Sequence, residues 1–572
     1  MYLDLRHVLT LRLVGFISSL FTLTSNDARS CKTIPGDESW PSAATWARLN
    51  DSIDGRLIRT IPLGQPCHGP AYNASQCAEI RMQWNSSALH VKSSSSAMTP
   101  FFANRSCDPF APRDEKCDIG AYVQYSVNVS TPDHIYKTLD FVKTHNIRFV
   151  LRNTGHDFMG KSTGANALAI WTHFLQETQW IEDFRSPSYR GPAVKAQAGV
   201  SAGLLYEQAD SRGYAIVGGQ CPGVGMAGGY TQGGGHSVLG SLYGLGADQT
   251  LSFEVITTEG EFLVASPTQN RDLYWALSGG GGGTYGIVWS ATIKAHKDSP
   301  MTAALLEFTS ENISTDTYWE AINAYQASTP SYTTVGGFAL AYYTARSFEM
   351  KPLVFPNFTA DAAATLVQPL LSRLDTLGIN YTYSLTTYPS YFTTTRSIAA
   401  LQDHNVGMWH WGGRLLPASL WADPRSFARL TRVIRAIIED GGEAYDVGFR
   451  PTLRAAGYPD NAVLPAWRDS ERLFIAMLPW DNRATWDEIL QAREKITWTF
   501  GEPLRQLTPG GGTYLNEADT SEPDWKTAFY GENYARLLAI KDRFDPEQLL
   551  YGSTAVGGDR WIEGEEGRLC PA

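Results

Sequence analysis

Two short stretches of this chain set a nucleophile among glycines. The first is Arg152-Asn153-Thr154-Gly155-His156-Asp157-Phe158, directly after the apolar run Ile147–Leu151. Such a run reads as a buried strand. A glycine beside a histidine just past a strand end lets backbone amides approach a phosphate-bearing ligand. The second stretch runs from Gly218 to His236 and holds Cys221, whose thiolate is a nucleophile. Its glycines let a backbone lie flat against a ligand and offer amides to a pyrophosphate. A flexible linker is the competing reading, opposed by Val224, Met226 and Tyr230, which interrupt the run with anchoring side chains.

A third cluster, Gly279–Gly283, leads into Thr284-Tyr285-Gly286. Gly281, Gly283 and Gly286 have the spacing of a dinucleotide fingerprint, but that fingerprint follows a strand and opens a helix. Here the helical pattern Arg271–Leu277 comes first and the strand pattern Ile287–Ile293 comes after, which excludes a Rossmann site and NAD. His236 has no second ligand at zinc spacing, so it reads as a loop histidine and no metal is expected. His410 lies between Trp409 and Trp411 in a strand pattern and points away from both. It is either a core histidine or a pocket residue facing a hydroxyl.

The elements that must position these residues are legible in outline. Tyr122–Val127 alternates as a strand. Thr131-Pro132-Asp133 starts a helix whose apolar face is Ile135, Leu139, Phe141 and Val142. Ile147–Leu151 is the next strand, and the Gly155-His156 loop leaves its end. A second unit has a strand at Ala193–Ala198, a helix capped by Ser201 that runs to about Arg212, and Gly213 as its stop. Asp248–Val264 reads as two strands around a tight turn. From about Lys297 the pattern mixes strands (Ala303–Phe308, Val335–Thr344, Val406–Leu416, Arg472–Leu478) with helices (Thr317–Ala327, Asp361–Thr376, Pro424–Asp440). That predicts a large sheet covered by helices on one side. Gly510–Gly512 then turns into Thr513-Tyr514-Leu515-Asn516-Glu517, followed by helices at Trp525–Tyr530 and Asn533–Phe544.

A chain of 572 residues exceeds one compact core. The net charge of −11 argues against nucleic acid and anionic membranes as partners. Seventeen tryptophans and 27 tyrosines suit a flat ligand or a carbohydrate, and equally a large core. Arg6, His7 and Arg12 precede an apolar run, Leu13–Leu23, too short to span a bilayer, which reads as a secretory signal. Export agrees with N-glycosylation triplets at Asn50, Asn73, Asn85, Asn104, Asn128, Asn312, Asn357 and Asn380. Of the seven cysteines, Cys67 with Cys77 and Cys107 with Cys117 would close small loops, leaving Cys31 for Cys570. Six cysteines allow about fifteen pairings, and this set is the simplest. The expected division is a signal at 1–25, a disulfide-pinned segment at 26–115, domains at 116–299 and 300–520, and a returning tail at 521–572.

With these residues in view, the chain resembles the vanillyl-alcohol oxidase/p-cresol methylhydroxylase flavoproteins, and within them the secreted fungal-type berberine-bridge-enzyme-like oxidases. The resemblance covers about Ala121 to Pro546. It rests on R-N-T-G-H-D, C-P-G-V-G, G-G-Y-T-Q-G-G-G, Y-G-L-G-A-D, D-L-Y-W-A-L-S-G-G-G-G-G-T-Y-G-I-V, Y-L-N, Y-G-E-N-Y and a final D-P, in that order. It implies an α+β fold: a two-part PCMH-type FAD-binding domain plus a substrate domain with a large antiparallel sheet covered by helices. It implies FAD bonded through its 8α carbon to His156 and through C6 to Cys221. By the same resemblance the phosphates lie on Arg152, Asn153, Thr154, Gly155 and Asp157, with Ser162 nearby. Gly225, Gly228, Gly229 and Gly234 complete the cradle, and Ile287 and Val288 meet the adenine side. Asn516 and Asn533 reach the flavin, and Val224 gates oxygen. Many plant relatives carry histidine where Tyr230 stands, a departure from the family pattern at a position that would carry a base.

The implied reaction is hydride transfer from an alcohol or carbohydrate C–H to flavin N5, with O2 returning the electrons as H2O2. Tyr514 is the first candidate for the base and Tyr230 the second. A phenol, with a pKa near ~10, needs a cationic neighbour or a strong hydrogen bond for that role, and an aromatic pocket wall is the competing reading. The alternatives are an oxidative cyclisation or desaturation in secondary metabolism, and a non-catalytic secreted flavin- or glycan-binding protein. The expected partners are a small-molecule substrate and O2, for a monomer that enters no membrane.

Overall fold

The computed structural model describes residues 30–398 and 406–572; the expected secretory signal lies outside the described residues. Leu57–Arg59, Tyr125–Asn128, Leu168–Trp171 and Phe149–Arg152 form a small sheet in that order. Its last three strands are parallel. A parallel pair needs a crossover, and the helix Pro132–Thr144 supplies it, burying Ile135, Leu139, Phe141 and Val142 against the sheet. Pro132 sits in the first turn, where its missing N–H leaves no bond unmade. The loop starting at Asn153 therefore leaves the carboxyl end of a parallel strand, the end where open α/β sheets present ligand crevices.

A five-stranded antiparallel sheet follows, ordered Thr178–Arg185, Arg190–Gln197, Ile287–Lys294, Thr250–Ile256, Phe262–Ala265. Ser201 caps the helix Ala202–Asp210 by accepting from the amide of Leu204 at 3.4 Å. Gly213, at φ +74°, turns the chain beyond it.

The largest sheet has seven antiparallel strands among the described residues. Their order is Tyr381–Tyr388, Met301–Thr309, Ser347–Pro356, Phe338–Tyr343, Glu443–Gly448, Ser470–Pro479, Trp409–Pro417. Side chains alternate between its faces. Ala304, Leu306, Ala341 and Phe474 pack on the helices Thr315–Thr333, Ala360–Thr376 and Pro424–Glu439. On the other face Leu340, Tyr445, Leu473 and Ile475 join the core that holds Tyr230 and Tyr514. One face thus carries the helices and the other looks toward the glycine loops.

The helix expected to stop at Ala327 continues to Thr333, through Pro330. Proline has no N–H for the carbonyl four residues back. That carbonyl, on Gln326, accepts instead from the Trp421 indole at 2.8 Å.

The disulfides are Cys31–Cys570, Cys67–Cys77 and Cys107–Cys117. Around the first, Lys32 N donates to Leu569 O at 2.7 Å, and Arg568 makes two bonds to Asp37 at 2.7 and 2.8 Å. The tail helix Tyr534–Phe544 carries the buried Lys541. Its ammonium pairs with Asp545 and donates to Thr284 O at 3.0 Å and Leu550 O at 2.6 Å. One cation so ties the turn after Gly279–Gly283 to the chain around Leu550.

Candidate active site

A single guanidinium underlies the first loop. Arg152 is 1% exposed and donates through Nη2 to His90 O at 3.2 Å. Its Nε and Nη1 are buried with no hydrogen-bond partner among the described residues. Burial lowers its pKa to about 10, against the pull of Asp157 and Tyr122. Gly155, at φ +81°, passes over this group so closely that a Cβ would meet Nη2 at 2.4 Å. Asp157 closes the loop on itself, accepting from Met159 N at 2.9 Å and Ser162 N at 2.6 Å. Asn153 donates to Ala198 O at 2.6 Å, and its Oδ1 is buried without a partner among the described residues.

The second loop is pinned to its neighbours, which disposes of the linker reading. Ala202 N donates to Val224 O at 2.8 Å, Met226 N to Val200 O at 2.9 Å, and the Tyr206 hydroxyl to Gly219 O at 2.6 Å. Gly225 and Gly228 lie against the Asn153 amide, where a Cβ at either would fall 2.6 Å from Nδ2. The loop brings the Cys221 sulfur to 3.8 Å from Nδ1 and 4.0 Å from Nε2 of His156. Gly279 N and Gly281 N both donate to Gln232 O, at 3.1 and 2.8 Å, which stacks the third glycine cluster on the second.

The Tyr514–Glu517 turn closes the other side. Asn516 Nδ2 donates to Gly229 O and to the Tyr514 hydroxyl, each at 2.8 Å. His236 Nε2 donates to Glu517, 3.1 Å from both carboxylate oxygens. Burial, with Glu517 adding to it, pushes the Tyr514 pKa up; the bonds from Asn516 and the Gly235 backbone oppose this and lose. Burial raises Tyr230 as well, and its hydroxyl donates to His236 O at 3.0 Å. Of the two supports a phenol base can use, Tyr514 has the hydrogen bond, from Asn516, while burial raises both phenols.

These loops enclose one cleft with about 1590 Å³ of empty space, part of it open to solvent. Its walls include all the expected site residues except Gly234 and Asn533. Gly234 turns the chain at φ +112° behind the wall, its carbonyl bonded to Ala247 N at 2.8 Å. The Asn533 amide is taken up by Ala462 O and Val463 O at 3.2 and 3.3 Å. His410 also stays out. It is held between Phe101 and Trp480 at 4.7 and 4.6 Å, and burial takes its pKa down to about 4, the behaviour of a core histidine.

Other lining residues were not singled out beforehand: Lys161, Gln220, Tyr445, Glu517 and Tyr551, and also His236, which had read as a plain loop residue. Burial lowers Lys161 to about 8, leaving a cation beside Asp157. Tyr445 donates to Gln220 Oε1 at 2.8 Å. Glu517 had one signal, its place directly after Asn516 in the same turn.

The cleft fits a flavin dinucleotide. Its lining combines glycine backbone (Gly225, Gly228, Gly229, Gly282) with apolar side chains (Phe149, Leu151, Ile287, Val288) and the phenols Tyr445 and Tyr514. The unmet polar atoms of Asn153, Arg152 and Gln232 border the same space.

Comparison with known proteins agrees. Residues 123–266 match the family described as FAD binding domain, and residues 513–556 match the family berberine and berberine like. The FAD-linked oxidoreductase patO of Penicillium expansum is 44% identical over 562 residues, 98% of each chain. The bifunctional decalin synthase calF of Penicillium decumbens is 38% identical over 568 residues, 97% of this chain and 98% of that one. The crystal structure of the VAO-type flavoprotein MtVAO615 from Myceliophthora thermophila superposes with a TM-score of 0.91 at 38% identity, covering 95% of this chain and all of that one. With relatives of this identity along nearly its whole length, and with its glycine loops and Tyr-x-Asn turn folded around one cleft, the chain belongs to the berberine-bridge-enzyme-like FAD-linked oxidoreductases of the VAO/PCMH superfamily.

Proposed function

We propose that this protein is a secreted FAD-dependent oxidase of a small hydroxyl-bearing molecule, with its flavin bonded to both His156 and Cys221. The observation that carries the reading is the 3.8 Å approach of the Cys221 sulfur to the His156 ring inside the cleft. An imidazole and a thiolate are both nucleophiles toward an electron-poor ring. FAD bound there supplies a two-electron acceptor that takes hydride from a substrate C–H and passes the electrons to O2.

The chain's own part is to bind, orient and exclude. Asn153, Thr154, Gly155 and Asp157 would hold the diphosphate, with Gly225, Gly228 and Gly229 completing the cradle. The buried Arg152 offsets phosphate charge from below Gly155. Ile287, Val288 and Leu151 would receive the adenine end. Tyr514, Tyr445 and the large sheet wall off the reacting face from water. Val224 sets the space left for oxygen. Three disulfides suit an oxidising compartment, and the eight asparagine triplets would carry glycans there. The protein acts as a monomer.

The test is acid precipitation of the purified yellow protein. Flavin should stay in the pellet, and a peptide digest should recover it joined to the peptides of His156 and Cys221. The double variant His156→Ala/Cys221→Ala should release FAD to the supernatant. Wild-type flavin found wholly in the supernatant would refute the double attachment. An oxidative cyclisation is the second reading, favoured by the full-length match to a decalin synthase. Anaerobic bleaching of the flavin by polyene precursors, and not by a panel of primary alcohols and oligosaccharides, would select it.

A further inference from the structure

Two ionisable side chains in the cleft are left without a role by the cofactor reading: Glu517 and His236. Their geometry is asymmetric. His236 is 5% exposed, and its Nδ1 is buried with no hydrogen-bond partner among the described residues. Its Nε2 is committed to Glu517 at 3.1 Å. Its ring packs on Tyr514 at 5.4 Å and Phe449 at 6.1 Å. Both side chains line the cleft, and Glu517 keeps 17% of its surface open against 6% for the histidine, so it is the more accessible of the pair.

Around Glu517 stand phenols: Tyr514 on its own turn, Tyr230 on the second glycine loop, and Tyr342 and Tyr445 facing each other on neighbouring strands of the large sheet. The hydroxyls of Tyr514, Tyr230 and Tyr445 are already bonded to Asn516, His236 O and Gln220. A carboxylate accepts a proton directly, whereas a phenol must first lose its own.

We infer that Glu517, oriented by His236, takes the hydroxyl proton of an uncharged alcohol, and that Tyr514 is a neutral donor beside it. The inference rests on the flavin-oxidase reading above. As the substrate C–H leaves as hydride to the cofactor, its O–H proton passes to a Glu517 oxygen and the carbonyl forms. Reoxidation by O2 takes the two electrons and both hydrogens as H2O2, and Glu517 returns to its carboxylate. A carboxyl group ringed by phenols also disfavours carboxylic-acid substrates.

Sulfite is a probe that needs no substrate, because its binding bleaches flavin absorbance and responds to charge beside the ring. Glu517→Gln should bind sulfite on the order of tenfold more tightly than wild type, while Glu517→Asp, which keeps the charge, stays within about twofold. Under anaerobic conditions with a benzylic-alcohol panel, Glu517→Gln should slow flavin reduction on the order of a hundredfold or more, and Tyr514→Phe by less than about tenfold. His236 is a positioning residue: His236→Ala should lose reduction rate, and His236→Gln, which keeps a donor, should recover it. Sulfite affinity unchanged in Glu517→Gln, or reduction abolished by Tyr514→Phe and retained in Glu517→Gln, overturns the assignment. A wild-type protein without flavin would instead overturn the oxidase reading itself.

Discussion

Gly155 shows how tightly the residue types at the cleft are dictated. Its positive φ and the guanidinium beneath it leave no room for a methyl group. Forcing Cβ into this conformation costs roughly 1–2 kcal/mol from the backbone alone. Gly155→Ala should therefore lower the thermal midpoint and, more sharply, the flavin content per chain; full loading would contradict the role given to this loop. Residues of this kind were legible because their chemistry is local. A glycine, a histidine and an unusual cysteine declare themselves by type and by neighbours in the sequence. Glu517 and Tyr445 did not, because what matters about them is the company they keep in space. Tyr445 lies on a strand that the sequence pattern did not reveal, and Glu517 meets His236 only after both loops fold. Asn533 shows another limit: the resemblance implies contact with the flavin, and in the fold its amide donates to the carbonyls of Ala462 and Val463.

At the scale of elements, strands with plain apolar alternation and helices with clean caps were read closely. Arg271–Leu277 matches as predicted, and Ile287–Ile293 extends by one residue. Tyr381–Tyr388 was missed because tyrosine and threonine alternate there on a half-exposed edge strand, and Ser347–Pro356 because Pro352 interrupts it. The helix through Pro330 depends on a side chain distant in sequence. Trp421→Phe should leave the Gln326 carbonyl without its donor and cost about 1–3 kcal/mol in urea unfolding; an unchanged midpoint would show that water can replace the indole.

The strand Ser470–Pro479 carries a second such dependence. Glu471 is buried beside Thr333, Arg450 and Arg472, and burial raises its pKa from 4.5 to about 7. Below pH 4.5 the carboxyl is protonated whether the chain is folded or not. Between pH 4.5 and 7 only the unfolded chain ionises, so stability falls as pH rises through that window, by up to about 3 kcal/mol from this group. Glu471→Gln should remove that part of the slope, read as the difference in urea midpoints between the two pH values; an identical slope in both proteins would refute it.

Across the whole molecule, the tail is part of the site. Leu550, Tyr551, Gly552 and Ala555 line the cleft, and Lys541 and the Cys31–Cys570 bond hold that segment to the first half of the chain. Cys31→Ser/Cys570→Ser should cost about 2–5 kcal/mol of stability. It should also make the cleft wall more accessible to protease cleavage near Leu550; unchanged cleavage would mean that Lys541 and the Arg568–Asp37 pair suffice. The sequence allowed this disulfide only as the remainder of a simple pairing, because nothing local marks two cysteines that lie near opposite ends of the chain. The lysine tie was invisible for the same reason. The order of manufacture follows from this architecture. The amides around Gly155 leave the ribosome long before the segment that must close over them, so a nascent chain can present half a cradle and never a whole one. Cofactor capture is therefore completed only after the tail has been made.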